Sequence, residues 1–439
     1  MPPRTGHTVP GPKGQFLIGN APHFERDPIA WLTRTRDEFG DIVRITPDTI
    51  VIHHPDDVQR LLLMTNTDFA MDKAPRAHTS RQRDHEARQA GWLEENPYAW
   101  RIFTRPTVAG HLDRIARQIA RQLSLEANTD RDIFTGARRV CGHAIADYLL
   151  GRDDRTGDIA EDASSTAQAE ARLNEHPESR WVFGPGRRSR SVSSDNARQL
   201  DTIHGIVARR KTQGVPGGQP DALDTLLSEF PRIPDSVAAA IVRDGLAAGH
   251  SAPGTALTWL MLRLARHPEC AKRIREESEG FDLENGAPGD IHRLLSSYAD
   301  AFVREVLRLH PPHWMIGRRT TRKVTVRGYE IAPGQTVLCI PYLIHRDPRW
   351  WPDPEEFDPD RWLRERVPYS GCAYIPFGHG PRMCPGRFMG QTELVLAAML
   401  LATKYSLELP SVETVEVSFR SLLLPENLKG GWYEVADDW

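Results

Sequence analysis

The sequence predicts a mainly α fold with a minor β portion, and three segments carry that prediction. Residues 234–267 read as one long helix with a defect at Pro253. Residues 291–310 read as a second helix, with Leu294, Tyr298, Phe302 and Val306 as its apolar stripe and Pro311-Pro312 as its stop. Residues 387–404 form a last, apolar helix. Against these stand short β-type runs at Lys323 to Val326, Tyr329 to Ile331 and Thr336 to Ile340, with Pro333-Gly334 as a turn.

The remaining elements follow in chain order. Pro28 to Phe39 reads as a short helix. Ile42-Val43-Arg44-Ile45 and Ile50-Val51-Ile52 flank the turn pair Pro47-Asp48, a β-hairpin signal. Pro55-Asp56-Asp57 opens another helix with acids where the helix dipole favours them. Residues 73–97 lose all periodicity and read as a long loop of the kind that carries function. Residues 111–125 return to helix, with Leu112, Ile115, Ile119 and Leu123 on one stripe and Arg114, Arg117 and Arg121 on another. Residues 184–196 and 213–220 are linker candidates, neither long enough to demand a boundary. The expectation is one domain over 1–439, with a β-rich N-terminal part at about 15–70 and a helical part at about 98–405.

Composition excludes several function classes. A net charge of -3 on 439 residues is not the basic footprint of a nucleic-acid binder. The five cysteines are odd in number and irregularly spaced, so a disulfide framework is not expected and a reducing cytoplasm is. The opening MPPRTGHTVPGPKG lacks the apolar core of a signal peptide. The longest apolar run, Leu394 to Ala402, is far short of the ~20 residues of a membrane span. The expectation is a soluble, cytoplasmic monomer.

The chemistry concentrates in Phe377-Gly378-His379-Gly380-Pro381-Arg382-Met383-Cys384-Pro385-Gly386. Gly378, Gly380 and Gly386 let the backbone turn tightly and approach a flat ligand, while Pro381 and Pro385 stiffen it. Cys384 precedes an apolar helix, whose positive end favours thiolate, the metal-ligating form. Arg382 can pair with an anionic group. A zinc site from His379, Cys372 and Cys384 has the ligand chemistry but lacks the paired spacing of a tetrahedral site.

This segment resembles the cysteine-ligand loop of cytochromes P450, F-x-x-G-x-R-x-C-x-G, at Phe377, Gly380, Arg382, Cys384 and Gly386. The resemblance implies the cytochrome P450 fold, a large helical haem-binding domain plus a small β-rich region. It implies haem b (iron protoporphyrin IX), with Cys384 as the proximal thiolate, Arg382 on a propionate, and Phe377 packed beside the sulfur. Glu305 and Arg308, three apart on a helix, resemble the family's E-x-x-R motif, and Phe357-Asp358-Pro359-Asp360-Arg361-Trp362 is similar to its P-E-R-F region. The implied structural cluster is Glu305, Arg308 and Arg361. Arg318, with Arg319 as alternate, is implied at a propionate. So, on a pattern whose spacing departs from the family's, are Trp100 and Arg105, with Arg101 as alternate.

One segment departs from the family. Where the pattern is A/G-G-x-D/E-T-T, the chain has Ala248-Gly249-His250-Ser251-Ala252-Pro253. The acid–alcohol pair that steers protons and water during oxygen splitting is replaced, and Ala252 cannot hydrogen-bond. Pro253 removes the N–H that the Gly249 carbonyl would bond, so a kinked, widened helix is expected there. Ser251, or Thr255 a turn later, is the expected organiser of a water relay. The competing readings are proton delivery by the substrate's own hydroxyl, use of peroxide, or a non-oxygenating reaction.

Ala248, Ala252, Trp314, Met315, Ile316 and Leu422 are implied at the substrate pocket, alongside the 73–100 loop. They suit a small apolar or amphipathic molecule, such as a terpenoid or polyketide secondary metabolite. No electron-carrying domain is fused, so a separate ferredoxin and ferredoxin reductase are the implied electron donors, with Arg114, Arg117 and Arg121 as a docking patch. The leading function class is a haem-thiolate monooxygenase. Behind it stand a haem-thiolate enzyme needing no external electrons, a silent haem or lipid-like ligand carrier, and a zinc hydrolase.

Overall fold

A computed structural model describes residues 8–14, 20–71, 97–162, 187–213, 219–283, 289–364, 371–410 and 414–435. Two compact units are formed from discontinuous stretches: Met1–Ala90, Arg308–Phe357 and Arg364–Cys384 in one, and Gly91–Leu307, Asp358–Leu363 and Pro385–Trp439 in the other.

The first unit is built on a five-stranded sheet. The expected hairpin pairs Ile42–Thr46 with Thr49–Ile52, Val43 opposite Val51. Thr49–Ile52 then pairs in parallel with Thr336–Cys339, followed by Ile316–Thr320 and Phe69–Met71. The strand Ile316–Thr320 is absent from the sequence reading, because its centre is Gly317-Arg318-Arg319 and lacks the β-branched run that marks a strand. Pairing on both edges overrides that weak propensity. Helix Pro55–Leu63 starts as expected. The His54 ring accepts from the Asp56 N–H (3.3 Å), proline occupies the first turn, and Asp56 and Asp57 follow. It buries Val58, Leu61 and Leu62 in a core with Ile50, Ile52, Val337, Cys339, Cys372 and Ile375. Helix Pro28–Phe39 is capped by Asp27, which accepts from the Ala30 N–H (2.9 Å).

The second unit is helical. The long helix runs Asp235–Arg266, through Pro253 without interruption. It packs against helix Ile133–Leu150 at close range. A Cβ on Gly249 would lie 2.6 Å from Ile145, and one on Gly254 2.9 Å from the Arg138 Cα. Helix Leu112–Glu126 buries Leu112, Ile115, Ile119 and Leu123, the expected stripe. Helix Arg387–Lys404 matches its expected bounds and is buried on nearly all sides from Met389 to Ala402.

Two expectations are corrected here. The single helix over 291–310 is two, Ile291–Leu294 and Tyr298–Leu309. Ser297 separates them: its hydroxyl accepts from the Asp300 N–H (3.1 Å), the bond of an N-cap, and so restarts the helix. The linker expected over 184–196 is helical from its fourth residue, inside helix Arg187–Gln213. Arginine and serine are tolerated in helices, so only Gly184-Pro185-Gly186 were true breakers, and these lie outside the described residues. The loop expected over 73–97 lies almost wholly outside them too, and Pro97 itself begins a helical stretch.

Candidate functional site

The cysteine loop is closed by its own backbone. The Gly378 N–H donates to the Ile375 carbonyl (3.0 Å), Met383 to Gly380 (3.0 Å) and Cys384 to Phe377 (2.9 Å). Gly378 and Gly380 have φ of 72° and 74°, a region side chains with a Cβ rarely enter. Gly380 carries a second constraint: a Cβ there would lie 2.4 Å from the Leu62 carbonyl oxygen. The loop therefore rests directly on the end of helix Pro55–Leu63, with no room for a side chain between. Gly386 has an ordinary φ of -79°. Of the five cysteines, Cys384 is the exposed one and Cys141, Cys270, Cys339 and Cys372 are buried. Cys372 sits in the apolar core, and among the described residues it forms no metal-ligating group with His379 and Cys384. The zinc alternative at this loop has no geometry behind it.

Two arginines belong to the same unit as the cysteine. Strand alternation turns Arg318 inward, 5% exposed, and leaves Arg319 half-buried. The Arg318 Nε donates to the Thr65 hydroxyl (3.0 Å) and its Nη1 to the Gly317 carbonyl (2.8 Å). The Arg382 Nε donates to Asn66 Oδ1 (3.3 Å). Burial, then the charge of Arg318, push the Arg382 guanidinium down to about 10. Two cations that disfavour one another make a place for an anion.

The members of the expected Glu305–Arg308–Arg361 cluster each have partners within their own unit. In the second unit, the Glu305 carboxylate is fully buried. It accepts from the Arg361 Nε (3.0 Å), the Trp362 Nε1 (3.0 Å) and the Asp358 N–H (3.0 Å). In the first, Arg308 donates to the carbonyls of His345 (2.9 Å), Pro354 (2.6 Å) and Glu356 (2.9 Å) and lies over the Trp351 ring. Two residues the sequence reading missed complete that side. The His345 Nδ1 contacts the Arg308 carbonyl (3.1 Å) and its Nε2 accepts from the Ile375 N–H (2.9 Å), which fixes the neutral tautomer with hydrogen on Nδ1. Trp351 donates to the Ala373 carbonyl (3.2 Å). Arg308 thus anchors the strand of chain that leads into the cysteine loop. An isolated histidine and tryptophan in a polar stretch gave no periodic signal.

In the second unit, the long helix shows what replaces the acid–alcohol pair. Ala248 is exposed and Ser251 and Ala252 are half-buried, so this face of small side chains is open. Thr255 is fully buried, and its hydroxyl donates to the Ser251 carbonyl (2.8 Å). That hydrogen is committed to the helix backbone, which limits Thr255 to accepting from a relay water. His250 turns the other way. Its Nδ1 lies 2.5 Å from the Leu246 carbonyl and its Nε2 3.2 Å from the Ala160 carbonyl. Gly142 makes the slot, since a Cβ there would lie 2.2 Å from the Nε2. Burial holds the His250 pKa below the ordinary 6.5.

The other implied residues divide. The Arg105 Nε is buried and has no hydrogen-bond partner among the described residues. Trp100 lies under the Arg387 guanidinium, 5.7 Å from its ring centre. Arg101 pairs with Glu229 (2.5 Å). Trp314 is 2% exposed and stacks on Phe24, while Met315, Ile316 and Leu422 are half-buried. In the arginine stripe, Arg117 and Arg121 are exposed and Arg114 is half-buried. Arg114 contacts Asp147 (3.8 Å) and donates to the Gln219 carbonyl (3.3 Å), and Arg117 donates to the Gln219 side chain (3.4 Å).

No helix among the described residues is long and apolar enough to cross a membrane. Among solved structures, a cytochrome P450DA haem domain matches with a TM-score of 0.78 at 21% identity, covering 99% of both chains. Retinoic acid-bound cyanobacterial CYP120A1 matches at 0.75 and 21%, covering 98% of this chain and 99% of that one. Cyclooctatin synthase of Streptomyces melanosporofaciens is 39% identical over 36% of this chain and 35% of its own length. Zealexin A1 synthase of Zea mays is 32% identical over 54% and 50%, and (+)-menthofuran synthase of Mentha piperita 30% identical over 49% and 45%. The matches thus span half or less of these curated relatives. The family model for cytochrome P450, by contrast, matches residues 9–429, and by that match this chain belongs to the cytochrome P450 family.

Proposed function

We propose that this chain is a haem-thiolate monooxygenase acting on a small apolar or amphipathic molecule, with Cys384 as the residue that would hold the haem iron. Haem b is the family's cofactor. The observation that carries the reading is the loop itself: one exposed sulfur among five cysteines, on a backbone that Gly378 and Gly380 force into shape. The residues fit the group. Within the first unit, which carries Cys384, Arg318 and Arg382 would offer a paired positive site for propionates; within the second, the Arg105 Nε is buried without a hydrogen-bond partner among the described residues, and Ala248, Ser251 and Ala252 lie on an open helix face. When bound, haem supplies oxygen activation, with electron density pushed from the thiolate toward O–O cleavage.

The chain's own residues do the rest. Arg308, His345 and Trp351 hold the approach to Cys384, so the sulfur is placed by a buried network rather than by a free loop. Ser251 is the remaining side-chain hydroxyl on the open face, and we assign it the ordering of water there, with Thr255 as acceptor only. A terpenoid or polyketide secondary metabolite is the proposed class of substrate. A ferredoxin and its reductase would supply electrons in the cytoplasm.

The Ser251-Ala252-Pro253 replacement and the committed Thr255 hydroxyl favour one second reading, a peroxide-driven or non-oxygenating reaction. Turnover of a terpenoid panel with ferredoxin, reductase and NADPH, against the same panel with hydrogen peroxide alone, separates the two. Oxygenated product that requires the electron donors supports the monooxygenase. Product only with peroxide, or without either oxidant, supports the second reading.

A further inference from the structure

A second constellation of metal-ligating side chains lies where the long helix ends. His267 is at once the C-cap of helix Asp235–Arg266 and the N-cap of helix Pro268–Ser278. The N-cap position and the third helical residue face one another across the first turn, which is why Ser or Thr at one and Glu at the other form a capping box. Here those positions hold His267 and Cys270, and no side-chain cap bond is made. Glu269 joins them. The His267 Nδ1 lies 3.2 Å from Glu269 Oε1, the Cys270 Sγ lies 3.8 Å from the same oxygen, and all three ligand atoms fall within 4.8 Å of one another. A tetrahedral zinc ion with ordinary bond lengths sets its N, O and S ligands about 3.3–3.8 Å apart. The two separations to Glu269 are near that range, and the His267 and Cys270 ligand atoms lie within 4.8 Å of one another.

The surroundings suit a cation. Burial pushes the Cys270 thiol up; the Tyr298 hydroxyl, which donates to its sulfur (3.2 Å), works against that and orients it, and a bound cation would supply the rest. Cys270 is 5% exposed, while the Glu269 side chain is 68% exposed, which leaves an entry path and room for a water ligand. Arg273 lies over the Tyr298 ring but pairs with Asp360 (2.9 Å), so an acid balances its charge. Arg263 and Arg266 act on His267 from the preceding turn and oppose the cation. A thiolate and a carboxylate neutralise the double charge of the ion.

We propose that His267, Glu269 and Cys270 form a site for a zinc-class divalent cation, with water as fourth ligand, joining the end of the long helix to the start of the next. Binding forms a metal–sulfur bond and releases the thiol proton to solvent.

The test uses the haem-loaded protein, treated with chelator and then dialysed against roughly 10 µM zinc chloride. The expected result is about one zinc per haem iron, release of a proton on titration in weak buffer, and zinc protection of Cys270 from alkylation, read by peptide mass spectrometry. Cys270→Ser and His267→Ala should each weaken retention by roughly tenfold or more. If Cys270→Ser does not fold, Glu269→Gln at the exposed side chain serves instead. Absence of bound zinc, or equal zinc in all variants, overturns the proposal. None of these readouts uses turnover, so they stand or fall apart from the haem assignment.

Discussion

The cysteine loop and the middle of the long helix carry the two halves of the proposed chemistry, and they are stabilised in opposite ways. Residues 377–384 are specified by the backbone: two glycines at positive φ, three main-chain hydrogen bonds, and a carbonyl in contact. Residues 246–255 are specified by side chains acting on a helix that Pro253 weakens. His250 reaches the Leu246 and Ala160 carbonyls, and Thr255 reaches Ser251. A site fixed by backbone tolerates almost no substitution. A site fixed by side chains can trade one residue for another, and that is where the sequence reading expects a departure from the family pattern.

The largest effect should come from Arg361→Leu, which removes a guanidinium from the buried Glu305 carboxylate. Breaking a buried pair from one side costs about 3–5 kcal/mol. Urea melts should show that loss, and Glu305→Gln should recover part of it in the double variant. Gly380→Ala comes next. Its Cβ meets the Leu62 carbonyl at 2.4 Å in a strained φ, so we expect about 2–4 kcal/mol of destabilisation together with loss of haem from the purified protein. If Gly380→Ala keeps both stability and haem, the backbone account of the loop is wrong.

Glu393 gives an intermediate, pH-dependent effect. It is buried in helix Arg387–Lys404 and shares a hydrogen bond with Cys141. Burial pushes its carboxyl up to about 8, against an ordinary 4.5. Between these values the folded state holds a proton the unfolded chain has lost. The contribution of this group to stability is therefore full below pH 4.5 and is lost as pH rises through 8. Glu393→Gln should remove that slope, roughly 1.4 kcal/mol per pH unit at its steepest, so the variant gains on the native chain as pH rises. Parallel stability curves would contradict the buried neutral acid.

The smallest stability effect belongs to the long helix. Thr255→Val removes one side-chain bond, about 1 kcal/mol. Ser251→Ala should cost less stability but raise the peroxide released per NADPH consumed. If both variants leave coupling intact, no side chain of this helix relays protons, and the contrast between the two regions loses its functional half.

Much of this was legible in the sequence, for identifiable reasons. Helix Arg387–Lys404 is signalled by its apolar run, the hairpin at 42–52 by the turn pair Pro47-Asp48 between two β-rich runs, and the cysteine loop by residue types that its backbone needs. Strand Ile316–Thr320 was not legible, because a partner on each side makes it a strand. His345 and Trp351 were not, because their role is to meet Ile375 and Ala373 across about 20 to 30 positions of chain. The contacts of Arg114 with Asp147 and Gln219 were not legible either, because spacing shows which face a residue lies on and not what meets it there.

The central claim, that Cys384 ligates haem as a thiolate, is tested most directly by reducing the purified protein, adding carbon monoxide and recording the difference spectrum. The account predicts a strongly red-shifted Soret band in the native chain that is lost in Cys384→Ala. An unshifted band, or a shifted band that survives Cys384→Ala, would contradict it.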